Sequence, residues 1–237
     1  MALDEDRNVI LARVAERAER YDEMADYMRE RALTGVPLNQ EERDMFSAAF
    51  KGALSGRRQA VRIAVSVQQA ELERGSQATA NLALGYQTKV EAELSDICNK
   101  ALGLLDNLVR GAEPGEAKTF YLKMQGDYYR YIAEFAMGDQ RARAAASAKD
   151  AYTIGLKEAE SLSAVQPVRL GLALNFSVFQ HEVLGDTPAA IFTAKIALRD
   201  AASATGAVSE ETKQEAMMTM QLLQENLSLW EPEAANA

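Results

Sequence analysis

The chain has 237 residues, a formal net charge of −9 and a hydrophobic content of 48%. This acidity argues against general binding to nucleic acids or anionic membranes, since phosphate-rich surfaces attract cationic proteins. The single cysteine, Cys98, excludes an intrachain disulfide and a cysteine-rich zinc site. No apolar run reaches the ~18 residues of a transmembrane helix, and the start MALDEDRNVI lacks the features of a signal peptide. We therefore expect a cytoplasmic protein without a cofactor or a metal.

Helical periodicity is nearly continuous, and the chain has only 5 prolines and 14 glycines. We expect an all-α protein of nine mostly antiparallel helices, because the connections are short. Asn39 and Glu42 have the spacing of a capping box, and Ser209 is placed to cap the last helix. One domain is expected over residues 1–230, with a short disordered tail over residues 231–237. The predicted helices cover about 4–18, 20–33, 40–73, the stretch from the weak break ERGSQATANLALG to 110, 115–137, 140–162, 167–184, 187–204, and Ser209 to Trp230.

The segment KMQGDYYRYIAEF, residues 123–135, has a line of full charges between two apolar flanks. Lys123, Asp127, Arg130 and Glu134 share one narrow face of a helix, with Tyr131 at its margin. Partly buried charges need partners, and the carboxylates lie within one turn of the arginine. A solvated surface face is therefore a poor explanation for this strip.

Three other helices have polar or mixed strips. In FKGALSGRRQAVR, Lys51, Arg58 and Arg62 lie within about 40° of each other, an arrangement that favours an anion or acidic neighbours. Taken alone, this strip is better explained as a solvated face, the asparagines below as surface amides, and the leucines below as core. The other two strips contain Gly171, Asn175, Val178 and Glu182, and Leu222, Asn226, Leu229 and Trp230.

The four strips together would suit a phosphorylated peptide. Guanidinium groups bind phosphate oxygens in pairs, and lysine adds a point charge. Asparagine amides can donate to and accept from an extended main chain. An apolar strip would contact peptide side chains, and it consists of Leu174, Val178, Leu222 and Leu229.

Five stretches resemble the 14-3-3 family of phosphopeptide-binding adaptors, in family order: ERYDEM, ELSDICN, YLKMQGDYYRYIAE, RLGLALNFSVF and MQLLQENLSLW. The resemblance spans about residues 4–230. It implies a nine-helix protomer with a concave amphipathic groove, which pairs into a cup-shaped homodimer or with a paralogue. It also implies a regulatory protein that binds phosphoserine or phosphothreonine motifs of client proteins and alters their activity, location or assembly.

By the same resemblance, the phosphate would be held by Lys51, Arg58, Arg130 and Tyr131. The rest of the groove would be formed by Arg62, Lys123, Asp127, Glu134, Leu174, Asn175, Val178, Glu182, Leu222, Asn226, Leu229 and Trp230. Ion pairs across the dimer would join Arg20 to Glu93 and Glu23 to Lys89, with Tyr86 at the interface. Ala60 replaces a regulatory serine that the family often has there, so that phosphorylation switch is not expected.

Two other classes of protein remain open, an enzyme and a structural scaffold. An enzyme is disfavoured because the sequence has no Gly-rich phosphate loop, HExxH motif or serine nucleophile near a base. The lone His181 lies on a different face from Asn175 and reads better as a partly exposed structural histidine, and Cys98 reads as core. A purely structural helical scaffold would not need the basic strip of Lys51, Arg58 and Arg62.

Overall fold

The computed structural model describes residues 6–204 and 209–235, and every regular element assigned in these ranges is an α-helix. The all-α prediction with nine helices is confirmed for this part of the chain. Predicted and observed ends agree within a few residues, except at the end of the last helix. The predictions for 1–5, for the loop at 205–208 and for 236–237 lie outside the described residues. The helices are α1 (Arg7–Arg17), α2 (Tyr21–Leu33), α3 (Gln40–Glu73), α4 (Gln77–Gly111), α5 (Glu116–Phe135), α6 (Gly138–Ala159), α7 (Pro167–Glu182), α8 (Thr187–Ala202) and α9 (Glu210–Ala235).

Two predicted helix starts are confirmed by their capping bonds. Asn39 Oδ1 accepts from the Glu42 backbone N–H at 2.9 Å, and Glu42 Oε2 accepts from the Asn39 N–H at 2.8 Å. Ser209 Oγ likewise accepts from the Thr212 N–H at 3.1 Å, just before α9. These bonds satisfy backbone donors that have no partner within the first helical turn.

The predicted end of the last helix is wrong. α9 continues past Trp230 to Ala235 and contains Pro232, so residues 231–235 are not a disordered tail. The last turn is held against neighbouring helices, because Glu231 pairs with Lys195 of α8 at 2.7 Å and Glu233 Oε2 lies 3.8 Å from His181 Nε2 of α7. These contacts join the turn that contains Pro232, which cannot donate a backbone hydrogen bond.

The chain divides into two compact units, which we call the N-terminal unit (Met1–Leu108) and the C-terminal unit (Val109–Ala237). A single domain over residues 1–230 therefore remains a prediction. The N-terminal unit contains α1 to α3 and most of α4, and α2 packs against both α1 and α3. Its core includes Cys98, as predicted, and the large side chains Met24, Met28, Phe46 and Leu94.

A buried ion pair joins α2 to the start of α3. Arg31 Nε and Nη2 donate to the two carboxylate oxygens of Glu42, each at 2.8 Å. The same guanidinium donates to the carbonyls of Val36 and Pro37 at 2.9 and 3.2 Å. Since Glu42 also caps α3, one side chain fixes the helix start and the connecting loop together.

The C-terminal unit is organised around α7, which contacts α5, α6, α8 and α9. One face of α7 contributes Leu172, Phe176 and Phe179 to a core with Tyr152 of α6. The other contributes Leu170 to a core that α8 and α9 complete, with Leu223, Leu227 and Trp230 among its members. The positions of α6, α7, α8 and α9 within this unit thus follow from two apolar clusters that share α7.

Candidate functional site

Asp127 of α5 is the centre of a polar network in the C-terminal unit. Its Oδ1 accepts hydrogen bonds from the Tyr152 hydroxyl at 2.6 Å and from Asn175 Nδ2 at 2.7 Å. Its Oδ2 accepts from Lys123 Nζ at 3.0 Å, and Arg130 Nη2 lies 3.7 Å from Oδ1. Asp127 is only 7% exposed. Its buried carboxylate therefore connects α5 to α6 and α7.

The charges around Asp127 keep it ionised. Burial raises the free energy of the charged form, but the positive charges of Lys123 and Arg130, together with the hydrogen bonds from Tyr152 and Lys123, hold the pKa of Asp127 below its usual value of 3.8. The opposite holds for Tyr152, since burial and then the Asp127 carboxylate raise the pKa of its phenol well above 10.0. At neutral pH the network contains a carboxylate that accepts and a neutral phenol that donates.

The Arg130 guanidinium is held on several sides. Nη1 donates to Glu134 Oε1 at 2.8 Å, Nε donates to the Tyr152 hydroxyl at 3.3 Å, and the Tyr131 ring centroid lies 4.6 Å from the guanidinium carbon. Arg130 is 7% exposed. A guanidinium fixed in this way has little side-chain entropy left to lose when it binds an anion.

The structure thus brings together the four charged residues that the sequence placed on one strip of α5. Lys123 and Arg130 balance Asp127 and Glu134, so the strip is internally neutral. The Lys123 side chain lies next to Gly171 of α7, where a Cβ would be 3.5 Å from the lysine Cε, an ordinary van der Waals distance.

Tyr152 is the site residue that the sequence analysis missed. It is fully buried, and its ring lies directly over Gly126 of α5, where a Cβ would be 2.5 Å from the tyrosine Cδ1. Only glycine at that position lets the phenol reach Asp127 and Arg130. A glycine inside a helix, one residue before a buried carboxylate, was the available signal, although it does not tell which residue fills the space.

The predicted apolar wall is partly exposed. Leu222 and Leu229 of α9 are 49% and 70% exposed, so neither is a core residue. Leu174 and Val178 of α7 are half-buried against the core shared with α8 and α9. Because α7 contacts α9, these four side chains belong to two neighbouring helices of one unit.

The remaining predicted groove residues differ in accessibility. Asn226 is half-buried and Glu182 is exposed. Trp230 is only 5% exposed and its ring stacks on His181, with centroids 5.0 Å apart. Trp230 therefore supports the packing under α9, and its contact with a peptide stays a prediction. His181 Nδ1 lies 3.1 Å from the Thr187 hydroxyl, in agreement with a structural, partly exposed histidine.

The basic strip of α3 belongs to the N-terminal unit. Lys51 and Arg62 are exposed and Arg58 is half-buried. The neighbouring Arg57 is engaged elsewhere, since it bonds to Asp22 of α2 and to Glu93 of α4, at 2.9 and 3.0 Å. The predicted phosphate ligands are thus divided between the two units, and their joint site stays a prediction.

The predicted dimer residues have other partners within this chain. Arg20, the N-cap residue of α2, pairs with Glu23, and Glu93 accepts from Arg57. Tyr86 and Lys89 are exposed on α4. The cross-dimer ion pairs Arg20–Glu93 and Glu23–Lys89 remain predictions.

Other kinds of site receive no support from the described ranges. Residues 6–204 and 209–235 contain no group of three or more histidine, cysteine, aspartate or glutamate side chains arranged to hold a metal ion. No helix in those ranges is both long enough and apolar enough to cross a membrane.

Comparison with known proteins gives one family. The sequence model of the family described as "14-3-3 protein" matches residues 11–231. The chain is 44% identical to the 14-3-3 family protein artA of Aspergillus flavus, over 94% of each chain. It is 42% identical to the 14-3-3 protein homolog of Candida albicans, over 97% of this chain and 88% of the relative. It is also 42% identical to the checkpoint signal transducer rad25 of Schizosaccharomyces pombe, over 99% of this chain and 87% of the relative.

Proposed function

This chain belongs to the 14-3-3 family, and from that premise we propose that it is an adaptor for phosphorylated partner proteins. It binds motifs containing phosphoserine or phosphothreonine and thereby modulates the activity, location or assembly of the partner. One relative is itself named a checkpoint signal transducer, which agrees with a regulatory role. The protein performs no reaction of its own.

The observation that carries this proposal is the fixed guanidinium of Arg130. Its contacts with Glu134, Tyr152 and the Tyr131 ring hold it in one orientation before any ligand arrives. Phosphate recognition depends on such prepared cations, because ordering a free arginine costs up to about 2 kcal/mol of side-chain entropy. A scaffold without a ligand would not require an arginine fixed in this way.

The proposed division of labour follows the chemistry of the side chains. Asn175 uses its amide N–H on Asp127, which orients its amide oxygen as an acceptor for a peptide N–H, and Asn226 would bind the peptide main chain on α9. Asp127 and Glu134 hold the cations Lys123 and Arg130 in place. Arg62, Glu182 and Trp230 would complete the groove. The phosphate would be bound by Lys51, Arg58, Arg130 and Tyr131, and the peptide side chains by Leu174, Val178, Leu222 and Leu229.

We also propose that the protein is a cytoplasmic dimer, formed with a second copy or with a paralogue. Exposed apolar side chains of the N-terminal unit support this, among them Val14, Leu82 and Tyr86. Arg20 and Glu23 would exchange their mutual contact for Glu93 and Lys89 of the second subunit. Exposed ion pairs contribute only about 0–1 kcal/mol each, so apolar area would supply most of the affinity. Two linked grooves would favour partners with two phosphorylated motifs.

Fluorescence anisotropy tests the function directly. A labelled Arg-Ser-x-pSer-x-Pro peptide and its unphosphorylated twin are titrated with the protein, with a Lys51→Glu variant and with a Lys149→Glu variant as control. Lys149 is an exposed residue of α6, so this control carries the same change of charge outside the predicted groove. We expect binding of the phosphopeptide only, weakened by salt, at least tenfold weaker in Lys51→Glu and unchanged in Lys149→Glu. Equal binding of both peptides, or binding of neither, would favour the scaffold.

A further inference from the structure

The C-terminal unit contains an apolar cavity of about 230 Å³ between α6, α7 and α8. Its walls come from side chains that the peptide groove does not use, and most of its accessible lining is apolar. Phe192 stands at the cavity and is 66% exposed, an unusual state for a phenylalanine. The lining that matters here consists of Leu156, Ala173, Phe192, Ile196, Arg169 and Asp200.

Arg169 is held at the cavity by the chain around it. Its Nη1 donates to the carbonyl of Leu162 at 2.6 Å and approaches that of Glu160 at 3.5 Å. Its Nη2 lies 3.9 Å from Asp200 Oδ2, which is too long for a hydrogen bond. The guanidinium is therefore anchored through one nitrogen and offers another toward an acceptor.

Asp200 does not cancel this charge. Its Oδ1 accepts from both Nε and Nη2 of Arg199, at 3.1 and 2.9 Å. The carboxylate is thus already matched by a closer arginine. Counting the three side chains together, the polar edge of the cavity has one excess positive charge, and Arg169 supplies it.

We propose that this cavity binds a small molecule with an apolar body and a carboxylate, such as a short fatty acid. The apolar body would fill the space between Leu156, Ala173 and Ile196, under Phe192. The carboxylate would accept from Arg169 Nη2. A volume of 230 Å³ lies below the ~300 Å³ at which pockets for drug-sized ligands begin, so the ligand is a short chain or a single ring.

The charge complementarity defines the test. Octanoate and its neutral analogue octanamide have similar apolar bodies, so their difference reports on the arginine. Titration calorimetry of the full chain at low salt should show octanoate binding about tenfold more tightly than octanamide. Equal affinities, or no binding of either compound, would overturn the proposal.

Three variants locate the site. Ala197→Met adds a side chain to the cavity lining and should abolish binding of both compounds, with the helical circular dichroism unchanged. Arg169→Gln should remove the preference for octanoate and leave octanamide binding intact, which separates loss of the charge from loss of the fold. Arg143→Gln is the matched control, since Arg143 is an exposed residue of α6 and is not part of the lining, and it should retain the preference. Unchanged octanoate binding in Ala197→Met or in Arg169→Gln would contradict the proposed site.

Discussion

Removing the Tyr152 hydroxyl should destabilise the C-terminal unit by about 2–3 kcal/mol. The phenol donates to the buried carboxylate of Asp127 at 2.6 Å and accepts from Arg130 Nε at 3.3 Å. Hydrogen bonds to charged groups contribute about 1.5–3 kcal/mol each, and the shorter of these bonds should lie near the top of that range. Loss of the longer bond from Arg130 slightly increases the cost of the substitution. The phenylalanine slightly decreases it, because no hydroxyl has to be desolvated on folding. These two small corrections nearly cancel.

Urea denaturation followed by tryptophan fluorescence measures this loss. Trp230 is the only tryptophan of the chain and is buried in the C-terminal unit, so its emission reports on that unit. A double-mutant cycle of Tyr152→Phe with Asp127→Asn isolates the bond between them. We expect a coupling energy above about 1.5 kcal/mol, since the pair is charged and buried. A single-variant loss below about 0.5 kcal/mol together with zero coupling would refute the assigned role of Tyr152.

Three further predictions concern stability. Arg31→Met should lower the free energy of unfolding by about 3–5 kcal/mol in urea titrations, because it leaves the buried Glu42 carboxylate without its ion-pair partner. Gly126→Ala should lower the melting temperature, because the new Cβ would collide with the Tyr152 ring and destabilise the fold by about 1–3 kcal/mol. Gly103→Ala in α4, where a Cβ meets nothing within 4 Å, should raise it. Alanine is more favourable than glycine inside a helix by about 0.5–1 kcal/mol. Folding lowers the pKa of Asp127, so the charged carboxylate stabilises the fold at pH values above its usual pKa of 3.8. This contribution disappears as the pH falls through the folded-state pKa. The stability difference between wild type and Asp127→Asn should therefore shrink in acid titrations below pH 3.8.

The controls separate these mechanisms from general fragility. Arg29→Met removes an exposed arginine that pairs with Glu30, and it should change stability by no more than about 1 kcal/mol. An equal loss in Arg29→Met and Arg31→Met would show that burial of the pair does not matter. A Gly126→Ala protein as stable as Gly103→Ala would contradict the close packing of Tyr152. If stability fell equally at acidic pH in wild type and in Asp127→Asn, the pKa argument would be contradicted.

Local signals explain most of what the sequence could predict. The starts of α3 and α9 follow from Asn39, Glu42 and Ser209, whose capping bonds form within one turn of the chain. The charged strip of α5 was visible because a helix brings residues three and four apart onto one face. The end of α9 was missed because the segment EPEAANA is short and polar, and its contacts with α7 and α8 are not visible in the sequence.

Tertiary contacts explain what the sequence could not predict. Tyr152 lies 25 residues from Asp127, and only the packing of α6 on α5 brings them together. Trp230 shares a helical strip with Asn226, yet the α8–α9 core takes its ring. Taken alone, the same kind of pattern favoured Leu222 and Leu229 as core residues, yet both are exposed. Helical spacing thus identifies which residues are neighbours on a helix, but the partner helix decides which of them is buried.

The neutrality of the α5 strip has a kinetic consequence. Lys123 and Arg130 are balanced by Asp127 and Glu134, so this strip adds no net long-range attraction for an approaching anion. Attraction at a distance would have to come from the exposed Lys51 and Arg62 of α3, in a chain that carries −9 as a whole. In the proposed complex the α3 cations would therefore set the salt dependence of the association rate, whereas the contacts of Arg130 would act at short range and on dissociation.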